Sequence, residues 1–187
     1  MLQTLLFFHV LAAIGLFTGV TLELIAVLRV SRAATLSEVR AATLNTPLMG
    51  PLMGLSSLLL IGMGIAMVYV GSFSWAAGWL NAVFVLAVVL AVLGPAVTGR
   101  KADAMHALAL QAGDGPITQA VDNARRDRVF NYMVFMSLFE LVAALYVMVT
   151  KPDLIPAVTV IAGAAVLAAF PAALLLRRSS APALAET

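Results

Sequence analysis

The 187-residue sequence contains no cysteine, and Asp, Glu, Lys and Arg together make up only 11% of it. The missing cysteine excludes disulfides, thiol redox chemistry and thiolate metal sites. Soluble domains carry about 25% charged residues, so a chain this poor in charge does not have water as its main solvent. Histidine occurs twice, too few for a multi-His metal site. No Gly-rich phosphate loop, nucleophile elbow, HExxH motif or aspartate cluster is present. The pattern leans away from an enzyme, and no cofactor or metal is expected.

What is abundant is apolar: 63% of the residues are hydrophobic and the mean hydropathy is +1.05. A helical span needs about 20 apolar residues. Runs of that length occur at Leu5 to Leu28, Pro47 to Val70, Trp75 to Val97, Val129 to Val149 and Leu154 to Leu176. An isolated segment in hydrocarbon satisfies its backbone only as a helix, and no run alternates as a barrel strand does. The fold class is therefore all-α, a polytopic transmembrane bundle of five spans forming one domain over 1–178, with a mobile polar tail over 179–187. The segment from Met1 to Val30 has no basic n-region and is read as a retained first span rather than a cleaved signal.

Arg29, Arg32 and Arg40 follow the first span, Arg100, Lys101, Arg125, Arg126 and Arg128 lie between the third and fourth, and Arg177 and Arg178 follow the fifth. Only Lys151 lies on the opposite side. Lys and Arg stay cytoplasmic, so the N-terminus is expected outside, the C-terminus inside, and the location is a bacterial inner membrane. Trp75 and Trp79, with Tyr69 and Tyr146, fit an outer interfacial belt. The sequence pI of about 9.4 reflects basic residues at span ends, so nucleic acid is not an expected partner and the bilayer is.

Outer connections at Gly71 to Ser74 and Thr150 to Asp153 are short, which makes the spans they join antiparallel neighbours. The inner ones are longer. Ser31 to Asn45 contains SEVRAATL, suited to a short surface helix. Lys101 to Ala112 and Ile117 to Arg128 read as helices broken at Gly113-Asp114-Gly115-Pro116, with Asp114 or Gly115 capping the second and Pro116 in its first turn. Spans three and four thus extend into the cytoplasm as a helical hairpin.

Ionisable groups inside spans are functional candidates by default: His9 and Glu23 in span one, Glu140 in span four. At about 100° per residue, His9, Ala12, Gly19 and Glu23 share one face of span one, and His9 and Glu23 are about 21 Å apart along the axis. With Asn81, Asn131 and Ser137 as further buried polar candidates, two readings stand. In one, His9, Glu140 and Glu23 form a staggered proton or cation path along a contact between spans one and four. In the other, each group is hydrogen-bonded to a neighbouring helix, and Glu23 reaches Arg29. A haem at His9 needs a second axial ligand at the same depth, which His106 at the other end does not supply. Met49, Met53, Met63, Met67, Met133, Met136 and Met148 are available, although such residues are usually core fillers.

Gly15-x-x-x-Gly19 and Gly50-x-x-x-Gly54 match the small-residue packing motif, for contact between spans one and two or for a homo-oligomer. Pro51, Pro95 and Pro171 are expected to kink their helices and free backbone carbonyls.

The runs FFHVLAAIGLFTGV (Phe7 to Val20), PLMGLSSLLLIGMGIAMV (Pro51 to Val68) and FSWAAGWLNAVFVLAVVLAVLG (Phe73 to Gly94) resemble the bacterial integral membrane proteins grouped as domain of unknown function 2269 (DUF2269). More distantly, the first span is similar to those of CopD-like and HemJ-like membrane proteins, with Leu16, Phe17 and Thr18-Gly19 where those carry Trp and Gly-Gly. The first resemblance implies a membrane bundle and assigns no catalytic residue. Three functions follow as expectations: a proton-coupled or small-molecule-binding protein using Glu140, Glu23 and His9; a haem- or cofactor-binding redox protein using His9; or a non-catalytic component binding a partner or anionic lipid through the hairpin.

Overall fold

The computed structural model describes residues 1–71 and 73–179. Ser179 ends the last helix; the rest of the expected tail, 180–187, and Ser72 of the first outer connection lie outside the described residues. The described chain is helical: α1 (Leu2–Arg32), α2 (Leu36–Thr43), α3 (Thr46–Val70), α4 (Gly78–Leu93), a π-helical segment (Gly94–Gly99), α5 (Arg100–Gln111), α6 (Gln119–Arg125), α7 (Arg128–Thr150) and α8 (Leu154–Ser179). Five stretches are long and apolar enough to cross a membrane: Leu2–Arg32, Leu36–Val70, Gly78–Gln111, Gln119–Thr150 and Leu154–Arg177. The third, of 34 residues, is about 51 Å long at helical rise. It is therefore longer than a hydrocarbon core of about 30 Å requires, and its α5 part packs Met105 and Ala109 into a core shared with α1, α2 and α7.

The most extensive pairings are α1 with α3 and α7 with α8. The small-residue face of α1 is taken by α3. A Cβ on Gly15 would meet the Ser56 hydroxyl, one on Gly19 would meet Met53 Cγ, and one on Gly64 would stand 3.4 Å from His9 Cε1. Absent side chains thus let the two backbones close up. Gly50 and Gly54 do not join this contact, since a Cβ at either meets nothing within 4 Å. The pair expected to pack is on the open shoulder of α3, because α1 is met by Met53, Ser56 and Leu60 instead. Gly15→Leu is expected to cost about 1–3 kcal/mol by overpacking, and Gly50→Leu close to nothing. Denaturant unfolding of the two variants in the same micelles checks the contrast, and equal losses would mean that Gly15 is not a contact residue.

Span three departs from expectation at both ends. Trp75 to Ala77 remain outside the helix, held by an Asn81 Nδ2 bond to the Trp75 carbonyl of 2.8 Å. Asn81 is accordingly exposed at the tryptophan end, not buried as expected, because its amide closes this turn. At the other end Pro95 has no N–H to give to the carbonyl four residues back. The helix loosens there into the π-helical turn Gly94–Gly99, and the Thr98 hydroxyl donates to the Gly94 carbonyl at 2.9 Å. Pro51 and Pro171 sit inside α3 and α8, which continue through them.

At the basic end, α2, α5 and α6 form a cap. Thr35 caps α2 by accepting from Glu38 N, while Glu38 Oε2 accepts from Ala34 N at 2.7 Å, a reciprocal arrangement of the capping-box kind. The amphipathic α2 buries Leu36 and Val39 in the same core as Met105, Ala109, Val121 and Phe130, so it is an integral layer rather than a surface helix. The cap of α6 is Thr118, which accepts from Val121 N, and not Asp114 or Gly115. Those residues are committed elsewhere: Gly115 O accepts from Leu36 N at 3.0 Å, Pro116 bridges Thr35, and Gly115 has φ +148°, a region that favours glycine. Arg40 fastens the cap by donating to the Ala109 and Ala112 carbonyls at the end of α5 and by pairing with Asp114.

At the opposite end, Lys151 adopts a left-handed conformation (φ 49°) after α7. Its Nζ lies 5.4 Å from the Phe73 ring centre and 5.7 Å from that of Trp79. The lone basic residue of this side is thus held by cation–π contact.

Candidate functional site

Glu23 is placed by the last third of α1, where the chain passes under the cap. Its side chain is buried, 5% exposed, and its carboxyl meets the side chain of Thr98 in the π-helical segment. Oε2 has no hydrogen-bond donor. Across from it Asn131, in the first turn of α7 and 1% exposed, uses Nδ2 to donate to the Arg125 and Asp127 carbonyls at 2.9 and 2.8 Å. That leaves Asn131 Oδ1 without a donor. Both side chains line one cavity of about 20 Å³, together with Thr43, Thr46, Met49, Met105, Phe130 and Arg125. A space of this size holds a water or a small ion and no organic molecule.

The surroundings explain why these oxygens stay unpaired. Arg125 is the cation on the cavity wall, and it is already engaged: Nε donates to Asp122 at 2.8 Å, a terminal nitrogen pairs with the same carboxylate at 2.6 Å, and Nη1 donates to the Ala33 carbonyl at 3.0 Å. Thr43 donates to the Val39 carbonyl and receives the His106 ring at 3.0 Å. Asp127 accepts from Phe130 N as the cap of α7 and pairs with Lys101 at 2.6 Å. The cap thus consumes its own donors and leaves Glu23 Oε2 and Asn131 Oδ1 without one.

The other sequence candidates lie elsewhere. His9 Nδ1 donates to the Leu60 carbonyl of α3 at 2.9 Å, so its partner is span two. His106 is on α5 at the other end, bonded to Thr43. Ser137 returns its hydroxyl to Met133 O at 2.9 Å. Glu140 is buried with Oε2 unpaired and lies one heptad from both Met133 and Val147. Val147 packs with Ala82, Val83 and Ala157 of α4 and α8, so the stripe bearing Glu140 turns towards those helices. Neither His9 nor Glu140 lines the Glu23 cavity. Among the described residues no three His, Asp or Glu gather as a metal-holding group.

Sequence reading had singled out Glu23 and Asn131 but not Thr46, Thr98 or Arg125. The available signal for Thr98 was its place three residues after Pro95, in a stretch whose helical ladder the proline loosens.

No curated protein and no solved structure matches the chain. The description of the DUF2269 family, predicted integral membrane proteins, matches residues 3–152, and with its five spanning helices the chain belongs to that family.

Proposed function

We propose that this is a multi-pass protein of a bacterial cytoplasmic membrane, N-terminus outside and C-terminus inside, that takes up protons from the cytoplasm at Glu23. The positive-inside rule assigns the basic end to the cytoplasm, so the α2–α5–α6 cap covers the inner mouth of the bundle. The observation that carries the reading is the Glu23 carboxyl, buried in a span with one oxygen lacking a donor, on a residue that lines a water-sized cavity beneath that cap. A carboxyl there can exchange a proton with one water, and a π-helical turn is a common device at such functional sites. Glu140, farther towards the outside, is the second proton-active group of the same bundle. Coupling this uptake to a small solute is the role that the arrangement suits.

Infrared difference spectroscopy on the reconstituted protein tests this. A carboxyl band that changes with pH in the wild type and is missing in Glu23→Gln is the expected result. A spectrum unaffected by that replacement, in a variant that still folds, removes the reading.

A further inference from the structure

We propose that the outward face of α1 ends in a docking site for one anionic phospholipid of the inner leaflet, its phosphate held by Arg29 and Arg32. The inference shares the orientation used above and does not depend on proton uptake at Glu23.

Three observations lead to it. The exposed residues of α1 recur at helical spacing through Ile14, Thr18, Thr21 and Ile25, and the stripe closes with Arg29 and Arg32. In a spanning helix this is the side that faces lipid, so the two arginines end the surface along which acyl chains lie. They also stand at headgroup level. From Phe17, the middle of α1, Arg29 and Arg32 are about 18 and 22 Å along the axis, outside the hydrocarbon half-thickness of about 15 Å. Finally, both are free. Among the described residues neither enters an ion pair or a hydrogen bond. Glu23 is buried in the bundle, and Glu38, the next carboxylate in the chain, accepts from Ala34 N.

Charge and chemistry choose the occupant. The hairpin, where the sequence suggested a lipid or partner contact, holds cations on its own aspartates: Lys101 on Asp127, Arg125 and Arg126 on Asp122, and Arg40 of α2 on Asp114. Arg100 has Asp103 three residues on, a spacing at which helical charges interact, and Arg128 follows Asp127. Arg29 and Arg32 are likewise three apart and therefore neighbours on one face, but both are positive. Their mutual repulsion is relieved by an anion, and guanidinium forks bind phosphate oxygens in pairs. An apolar stripe ending in two guanidinium groups thus matches a diacyl lipid with a net negative headgroup. A zwitterionic lipid brings its own cation to the same place and gains less.

The test is native mass spectrometry of the full chain released from micelles that hold equal amounts of phosphatidylglycerol and phosphatidylcholine. The wild type is expected to retain one phosphatidylglycerol in preference to phosphatidylcholine by about tenfold, the scale set by two arginines at an anionic surface. In the double variant Arg29→Gln/Arg32→Gln the preference should disappear, and in Arg100→Gln it should stay. Should the double variant fail to fold, Arg29→Gln and Arg32→Gln are read singly, each with a several-fold loss expected. Equal retention of the two lipids by the wild type overturns the proposal. So does a loss in Arg100→Gln as large as in the double variant, which would mean diffuse attraction by the whole basic end. None of these outcomes bears on the Glu23 carboxyl band, so the proton reading stands or falls separately.

Discussion

Glu140→Leu is expected to stabilise the protein by about 1–3 kcal/mol, the usual cost of a buried polar atom with no partner. Glu140 Oε2 is such an atom, placed in a helix whose adjacent heptad positions are Met133 and Val147. Leucine matches glutamate in helix propensity, fills nearly the same volume and leaves nothing unpaired. Glu140→Gln is the control: it keeps the polar group, adds two donors that also lack partners, and is expected to stay at or below wild-type stability. Denaturant unfolding followed by the fluorescence of Trp75 and Trp79 reads both. Destabilisation of Glu140→Leu would mean that the carboxyl has a partner worth more than its desolvation. The same replacement is expected to impair proton coupling, because a protein that carries a costly ionisable group inside a span does so for function. More stable and less active is the signature of a site residue.

The architecture was largely legible because it follows from one-dimensional physics. Apolar run length set the spans, and α7 and α8 begin within a residue of where hydropathy put them. Local chemistry was less legible wherever a second segment intervened. The start of α6 looked set by Asp114-Gly115-Pro116, but those residues serve α2 by way of Leu36 N and Thr35, a contact spanning some 80 positions that no local rule contains. The face of α1 was read correctly as a close-packing surface. Its partner was left open between span two, which the structure places there, and span four, because helical periodicity tells which side is occupied and not by which helix. Thus His9 is bonded to α3, while Glu23, on the same stripe two-thirds of a span away, lies under the cap. Glu23 was readable as costly; the cavity was not, since its wall is drawn from six helices.

Asn131→Ala is expected to cost about 2–4 kcal/mol, the largest loss foreseen here for a single polar side chain. The two hydrogen bonds of Nδ2 reach the Arg125 carbonyl, at the end of α6, and the Asp127 carbonyl, at the start of α7. They close the one sharp joint in the fourth spanning stretch. Asp127 O keeps the Asn131 backbone N–H as a partner at 3.1 Å, so the Arg125 carbonyl bears most of the loss, and the void left by the side chain adds a packing term. Amide hydrogen exchange should accelerate from Asp127 to Asn131 and stay unchanged along the α1–α3 contact, which shares no hydrogen bond with the joint. A loss below about 0.5 kcal/mol, the range of ordinary surface substitutions, would mean that the joint is held by the Asp127 cap and the Lys101 pair alone. Asn131→Asp separates the two ends of the side chain. It keeps the size of the side chain but brings no N–H to the carbonyls, so stability should fall as in the alanine variant. The amide nitrogen of Asn131 thus holds the backbone in place across the α6–α7 joint.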